Sequence, residues 1–197
     1  MIRVVLQKEP KRFDARVRVP RKRAIARLKT GKIDALPPYW RRCMDDLWKA
    51  YSGICSYMAL YIPRTTGATT VEHLAPKSKD VDLAYEWSNY RLVCSTMNSR
   101  KSDFEDVLDP FKIKDGWFIL GFPSCEVTAA PKLSKRTRQA VLSTIARLKL
   151  NDAKCLFDRG QYLDDYQKGL TNMVFLKKYS PFLARELDRQ GLRRPGD

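Results

Sequence analysis

Thr69-Thr70-Val71-Glu72-His73-Leu74-Ala75-Pro76-Lys77-Ser78 is the stretch on which the fold turns. Its first three residues favour β structure and lead straight into an acid followed by the chain's single histidine. Residues 74–88 are polar and rich in Lys, Ser and Asp, which predicts a loop. Tyr90-Arg91-Leu92-Val93 then reads as a second short strand. Ser95 is placed to cap a helix over residues 96–104, with Asn98 and Lys101 three residues apart on one face. Strand, loop, strand and helix in that order predict an α+β fold with a small ββα core.

Outward from this core the chain reads as helix on both sides. Upstream, Trp40, Cys43, Met44, Leu47, Trp48 and Tyr51 recur at helical spacing, so residues 39–51 form an amphipathic helix whose aromatics belong to the core. Before Leu36-Pro37-Pro38 the chain is strongly basic. Ala24, Ile25 and Leu28 mark a short helix after Pro20, with Gly31 as its stop. Residues 1–36 are therefore expected to be a lightly packed basic arm, in contact with phosphate or a partner, or else simply solvated. Downstream, residues 117–120 and 126–128 read as a hairpin. Ser134 is expected to cap a helix with Val141, Leu142, Ile145 and Leu148 inward. A last helical region over 152–189 breaks near Ser180-Pro181. The expected organisation is an arm at 1–36, a helix plus catalytic core at 37–112, and a hairpin with helices at 113–197.

The composition bounds the function. Among 197 residues, 38 Lys and Arg against 22 Asp and Glu leave a net charge of +16. Self-repulsion of that size is commonly offset by phosphate, whose condensed counterions are released on binding. Nucleic acid is the expected partner. No run approaches the roughly 20 apolar residues a membrane span needs, so no membrane partner is expected. Five cysteines without dense spacing read as reduced thiols in a cytoplasmic protein.

Glu72, His73, Asn89, Asn98 and Lys101 carry the chemistry. Phosphodiester hydrolysis needs water to lose a proton, and an imidazole with an ordinary pKa near 6.5 suits that task. The transition state gathers negative charge that a divalent cation can stabilise. A hard cation such as Mg²⁺ takes oxygen ligands and keeps several waters, so one carboxylate and one amide suffice, and Glu72 and Asn98 could supply them. Lys101 lies one turn beyond Asn98, where it could meet a phosphate.

Residues 70–78, then Glu86-Trp87-Ser88-Asn89-Tyr90-Arg91-Leu92-Val93-Cys94, then Met97-Asn98-Ser99-Arg100-Lys101-Ser102-Asp103, together resemble the HNH (ββα-metal) endonucleases, in the variant whose third position is Asn. The likeness extends to the HNH subunit of Septu-type anti-phage systems and to retron-associated nucleases, where an HNH protein works beside an ATPase. The resemblance implies an endonuclease with one divalent cation, Mg²⁺ or Mn²⁺, and with DNA favoured over RNA as substrate. It implies His73 as general base, Glu72 and Asn98 as metal ligands, and Asn89 as a brace for the loop behind His73. Lys77, Arg100 and Lys101 would contact nucleic acid, and an ATPase subunit of a defence complex would be the protein partner.

Two departures from the resemblance stand out. Many HNH proteins frame the core with two Cys-x-x-Cys pairs holding a structural zinc. The corresponding places here are Cys55-Ser56-Tyr57-Met58 and Cys94-Ser95-Thr96-Met97. Each pair has Met in place of its second thiolate, and a thioether is a poor Zn²⁺ ligand. Structural zinc is therefore expected to be absent, with apolar packing of Met58 and Met97 in its place. Many HNH sites also carry Asp where Glu72 stands. The alternatives are a catalytically silent nucleic-acid-binding module and a subunit whose basic surface docks an ATPase.

Overall fold

The computed structural model describes residues 1–32 and 35–197, and it is α+β. Its centre is an antiparallel pair, β1 (Thr69–His73) and β2 (Tyr90–Cys94). The register sets Thr69 opposite Cys94, Glu72 opposite Arg91 and His73 opposite Tyr90. Helix α3 (Ser95–Lys101) follows β2 without a linker and packs on both strands. Cys94, not Ser95, is its N-cap residue, in an extended conformation (φ −75°, ψ 157°). The helix is also shorter than expected. Ser102 adopts φ 45°, a backbone state that glycine enters most readily, and it turns the chain away after Lys101.

Upstream lie α1 (Val19–Lys29) and α2 (Met44–Ala50). The amphipathic segment expected over 39–51 is split, because Tyr39–Cys43 winds as a tighter 3₁₀ turn before α2 begins. The basic N-terminal segment is not a lightly packed arm. Met1, Phe13 and Val17 are buried, Val4 N–H donates to Pro110 O (2.9 Å), and Trp87 Nε1 donates to Gln7 O (2.8 Å). Phe13 meets Trp87 and Tyr90 edge to face, at centroid distances of 5.7 and 5.8 Å. Aromatic burial of this kind outweighs the electrostatic preference of the segment for open water. Arg18 is further held by Glu9, Asp14 and Glu86, so part of the positive charge is neutralised within the fold.

Downstream, β3 (Phe118–Leu120) and β4 (Val127–Ala129) form the expected hairpin. Helix α4 (Lys135–Arg147) starts as expected at Ser134, whose Oγ accepts from Thr137 N–H (3.2 Å). Val141 and Leu148 are buried as expected, Ile145 packs against the core and Thr144 is buried beside them, while Leu142 is exposed. Helices α5 (Ala153–Gln167), α6 (Met173–Tyr179) and α7 (Pro181–Arg189) follow, the last two separated at Ser180. Asp152 and Asn172 cap α5 and α6 through their side chains. Buried Glu186 fixes α7 to the hairpin by accepting from Leu120 N–H (3.0 Å). One apolar core runs from Met1 to Leu187 and includes both strands of the central pair.

Candidate active site

Beside β1 lies a cleft of about 680 Å³, walled by Trp40, Arg41, Glu72, His73, Lys77 and Asn98, with Asp103 also on its lining. His73 ends β1, buried between Trp40 and Tyr90, whose rings meet the imidazole edge to face at 4.9 and 5.2 Å. Its Nε2 lies 3.0 Å from Ala84 O. A carbonyl can only accept, so Nε2 carries the proton and Nδ1 keeps a free lone pair. Burial pushes the imidazole down to about 4, and the charges of Lys77 and Lys101 push the same way, against the bond to Ala84. His73 is therefore a neutral imidazole of fixed tautomer at neutral pH.

The loop behind His73 is held by Asn89. Asn89 Oδ1 accepts from Ala75 N–H (2.8 Å), and Nδ2 donates to Ala75 O (3.1 Å) and Leu83 O (3.0 Å). The amide thus ties both ends of the 75–83 excursion together, and the neighbouring carbonyl of Ala84 orients His73. Tyr90 OH also donates to Ala84 O (3.0 Å). Asn89 is a positioning residue that does not face the cleft.

Lys101 departs from expectation. Its side chain is buried, and its Nζ donates to His73 O (2.9 Å) and Leu74 O (2.8 Å) while pairing with Glu72 Oε1 (2.9 Å). All three ammonium protons have partners, so Lys101 is not a phosphate contact. It clamps the end of β1, because α3 is short enough to bring its last residue beneath His73. Arg100 is engaged within the fold. Its guanidinium donates to Leu148 O (3.0 Å) and Lys149 O (3.1 Å) and pairs with Asp152, joining α3 to the start of α5.

The two side chains expected to hold a cation are placed differently. Asn98 borders the cleft, and its amide makes no hydrogen bond among the described residues. Glu72 also borders it, but Oε1 is paired with Lys101 and Oε2 accepts from Tyr57 OH (3.0 Å). Burial raises its pKa, opposed by Lys101 and by the Tyr57 hydrogen bond. With both oxygens engaged, Glu72 as placed does not fit a metal ligand. No three His, Cys, Asp or Glu side chains converge as a metal-binding group among the described residues.

Lys77 is exposed at the cleft, its ammonium 5.0 Å from the Trp40 ring centre, as a phosphate contact requires. Arg41 joins it on the lining, a residue sequence reasoning passed over. The helical period over 39–51 gave no reason to single it out. The 3₁₀ turn puts Trp40 against His73 and leaves the neighbouring guanidinium exposed. Tyr57, which holds Glu72, was likewise unremarked and sits in the turn between Cys55 and Met58.

No family model matches this chain, and no curated protein matches it. Among the described residues, no helix is long and apolar enough to cross a membrane.

Proposed function

We propose that this chain is an HNH-type endonuclease in which His73 Nδ1 removes a proton from the attacking water. The observation that carries the reading is the fixed tautomer of His73. With Nε2 bound to Ala84 O, Nδ1 is the unprotonated nitrogen and has no hydrogen-bond partner among the described residues, and His73 borders a cleft that Arg41 and Lys77 also line. In the proposed step the water proton passes to Nδ1 as the water oxygen bonds to phosphorus. The bond from phosphorus to the 3′-oxygen breaks, the departing 3′-oxygen takes a proton from solvent water, and Arg41 and Lys77 hold the flanking phosphates. The net charge of +16 supports nucleic acid as the substrate and does not distinguish DNA from RNA.

A divalent cation, Mg²⁺ or Mn²⁺, belongs to the proposal as the group that would neutralise charge on the phosphate. Asn98 is the donor available to it. Glu72 would have to exchange Lys101 or Tyr57 for the metal to join. That engagement favours a second reading, a binding module that retains the fold without the reaction. An ATPase subunit as partner, and a role as the effector of an anti-phage defence system, rest on the sequence resemblance.

Incubation of the protein with supercoiled plasmid and, separately, with tRNA, in Mg²⁺, Mn²⁺ or EDTA, tests the proposal. Nicked or linear plasmid that depends on the metal supports the nuclease. Binding without cutting, with the ATPase partner absent and then supplied, supports the binding module.

A further inference from the structure

A second cavity, of about 490 Å³, is lined by Cys55, Met58, Cys94 and Tyr162 among others. It lies away from His73, and nothing in the proposed reaction uses it. Cys55 is buried at the start of a tight turn, in which Cys55 N–H donates to Leu60 O and Ala59 N–H to Cys55 O, both 2.8 Å. Ser56 N–H donates to Leu92 O (2.8 Å), which docks this turn onto β2 two residues before Cys94. Both thiols line this cavity, Cys55 from the turn and Cys94 from the end of β2, close enough that each alters the other's ionisation.

They are not equivalent. Cys94 is half-buried and also borders a third cavity, so small solutes reach it from two sides. Cys94 is the N-cap residue of α3, beside the Cys55 thiol and the backbone N–H groups of Thr96 and Met97 in the first turn. Those donors draw Cys94 down to about 6 despite its burial, whereas burial pushes Cys55 well up. The remaining three thiols differ again: Cys43 is buried and donates to Trp40 O (3.0 Å), Cys125 is buried, and Cys155 lies 3.5 Å from Met58 Sδ.

We propose that Cys55 and Cys94 form a redox-active dithiol, with Cys94 as the attacking thiolate and Cys55 as the resolving thiol, which a peroxide closes to a disulfide. Cys94 Sγ attacks one peroxide oxygen, the O–O bond breaks, and hydroxide leaves to give a sulfenic acid. Cys55 Sγ then bonds to Cys94 Sγ and displaces the sulfenic oxygen, which departs as water with the Cys55 proton. The peroxide takes up the two electrons that the thiols lose. The disulfide would join the 55–60 turn to the residue that starts α3, the helix that carries Asn98 and Lys101.

The test is graded hydrogen peroxide on the fully reduced protein, followed by intact-mass measurement, alkylation and peptide mapping. The expected result is loss of two of the five thiols with one mapped cross-link, Cys55 to Cys94, reversed by dithiothreitol. In Cys55→Ser, Cys94 is expected to stop at the sulfenic acid, trapped by dimedone. A different cross-link overturns the proposal. So does a wild-type Cys94 that runs on to sulfinic acid with Cys55 still free, or one that reacts no sooner than Cys43. The wild-type mapping stands even if the variant fails to fold.

Discussion

Lys101 and Glu72 meet at 2.9 Å with both side chains almost wholly excluded from water, and Tyr57 closes the carboxylate's other oxygen. Such a pair repays its desolvation only while both partners are present. Lys101→Ala is therefore expected to cost about 3–5 kcal/mol in urea unfolding, because it strands a buried carboxylate. The double change Lys101→Met with Glu72→Gln should recover part of that loss. If Lys101 were a phosphate contact, its removal would leave stability unchanged and weaken only nucleic-acid binding.

His73 links stability to pH. Its folded-state pKa of about 4 lies below the ordinary value of about 6.5, so between these values the unfolded chain binds the proton and the folded one does not. The contribution is complete above about pH 6.5 and is lost as pH falls towards 4, a difference of about 3 kcal/mol. Urea unfolding across that range, wild type against His73→Gln, should show the wild type losing the extra stability. The same shift predicts that the acid limb of any cleavage profile falls below about pH 5. A limb centred near 6.5 would place His73 in a more solvated setting than the structure gives it.

Asn89→Ala removes three hydrogen bonds and leaves Ala75 and Leu83 backbone groups without their partner. At roughly 1 kcal/mol for each bond, a loss of about 2–4 kcal/mol is expected. Because Asn89 acts through the loop beside His73, cleavage by the folded variant should lose kcat with KM little changed. A rise in KM alone would indicate that Asn89 touches substrate.

Arg41 and Lys77 are the expected phosphate contacts on the cleft. Replacing either by Ala should leave thermal stability within about 0.5 kcal/mol. Each should weaken binding to duplex DNA and lower the slope of log affinity against log salt by about 1. Arg100→Ala should behave oppositely, destabilising the α3–α5 junction with the salt slope unchanged.

The central pair of strands, the helix after them and the helix capped at Ser134 were legible because each has a local cause. These causes are β-branched residues running into Glu72-His73, a helix start directly after β2, and the capping side chain of Ser134; the separation of α5 from α6 and their caps at Asp152 and Asn172 were not read. The tertiary consequences were not. Basic residues near the N-terminus suggested solvent exposure, and nothing local announced that Met1, Phe13 and Val17 would insert into the core. At the site, the resemblance implied Asn89 as a brace for the loop behind His73, and its hydrogen bonds to Ala75 and Leu83 lie in that loop. The capture of Lys101 by Glu72 depends on where α3 ends, which is set by the backbone at Ser102. Arg41 reaches the cleft because a 3₁₀ turn replaces one turn of α-helix, a difference that hydrophobic period does not resolve.

The most direct measurement is single-turnover cleavage of supercoiled plasmid by wild type and His73→Ala, with DNA affinity and thermal unfolding measured on the same preparations. The expected result is a loss of about 10²–10⁴-fold in rate for the variant, with DNA binding retained. Equal cleavage rates in folded wild type and folded His73→Ala would contradict His73 as the base.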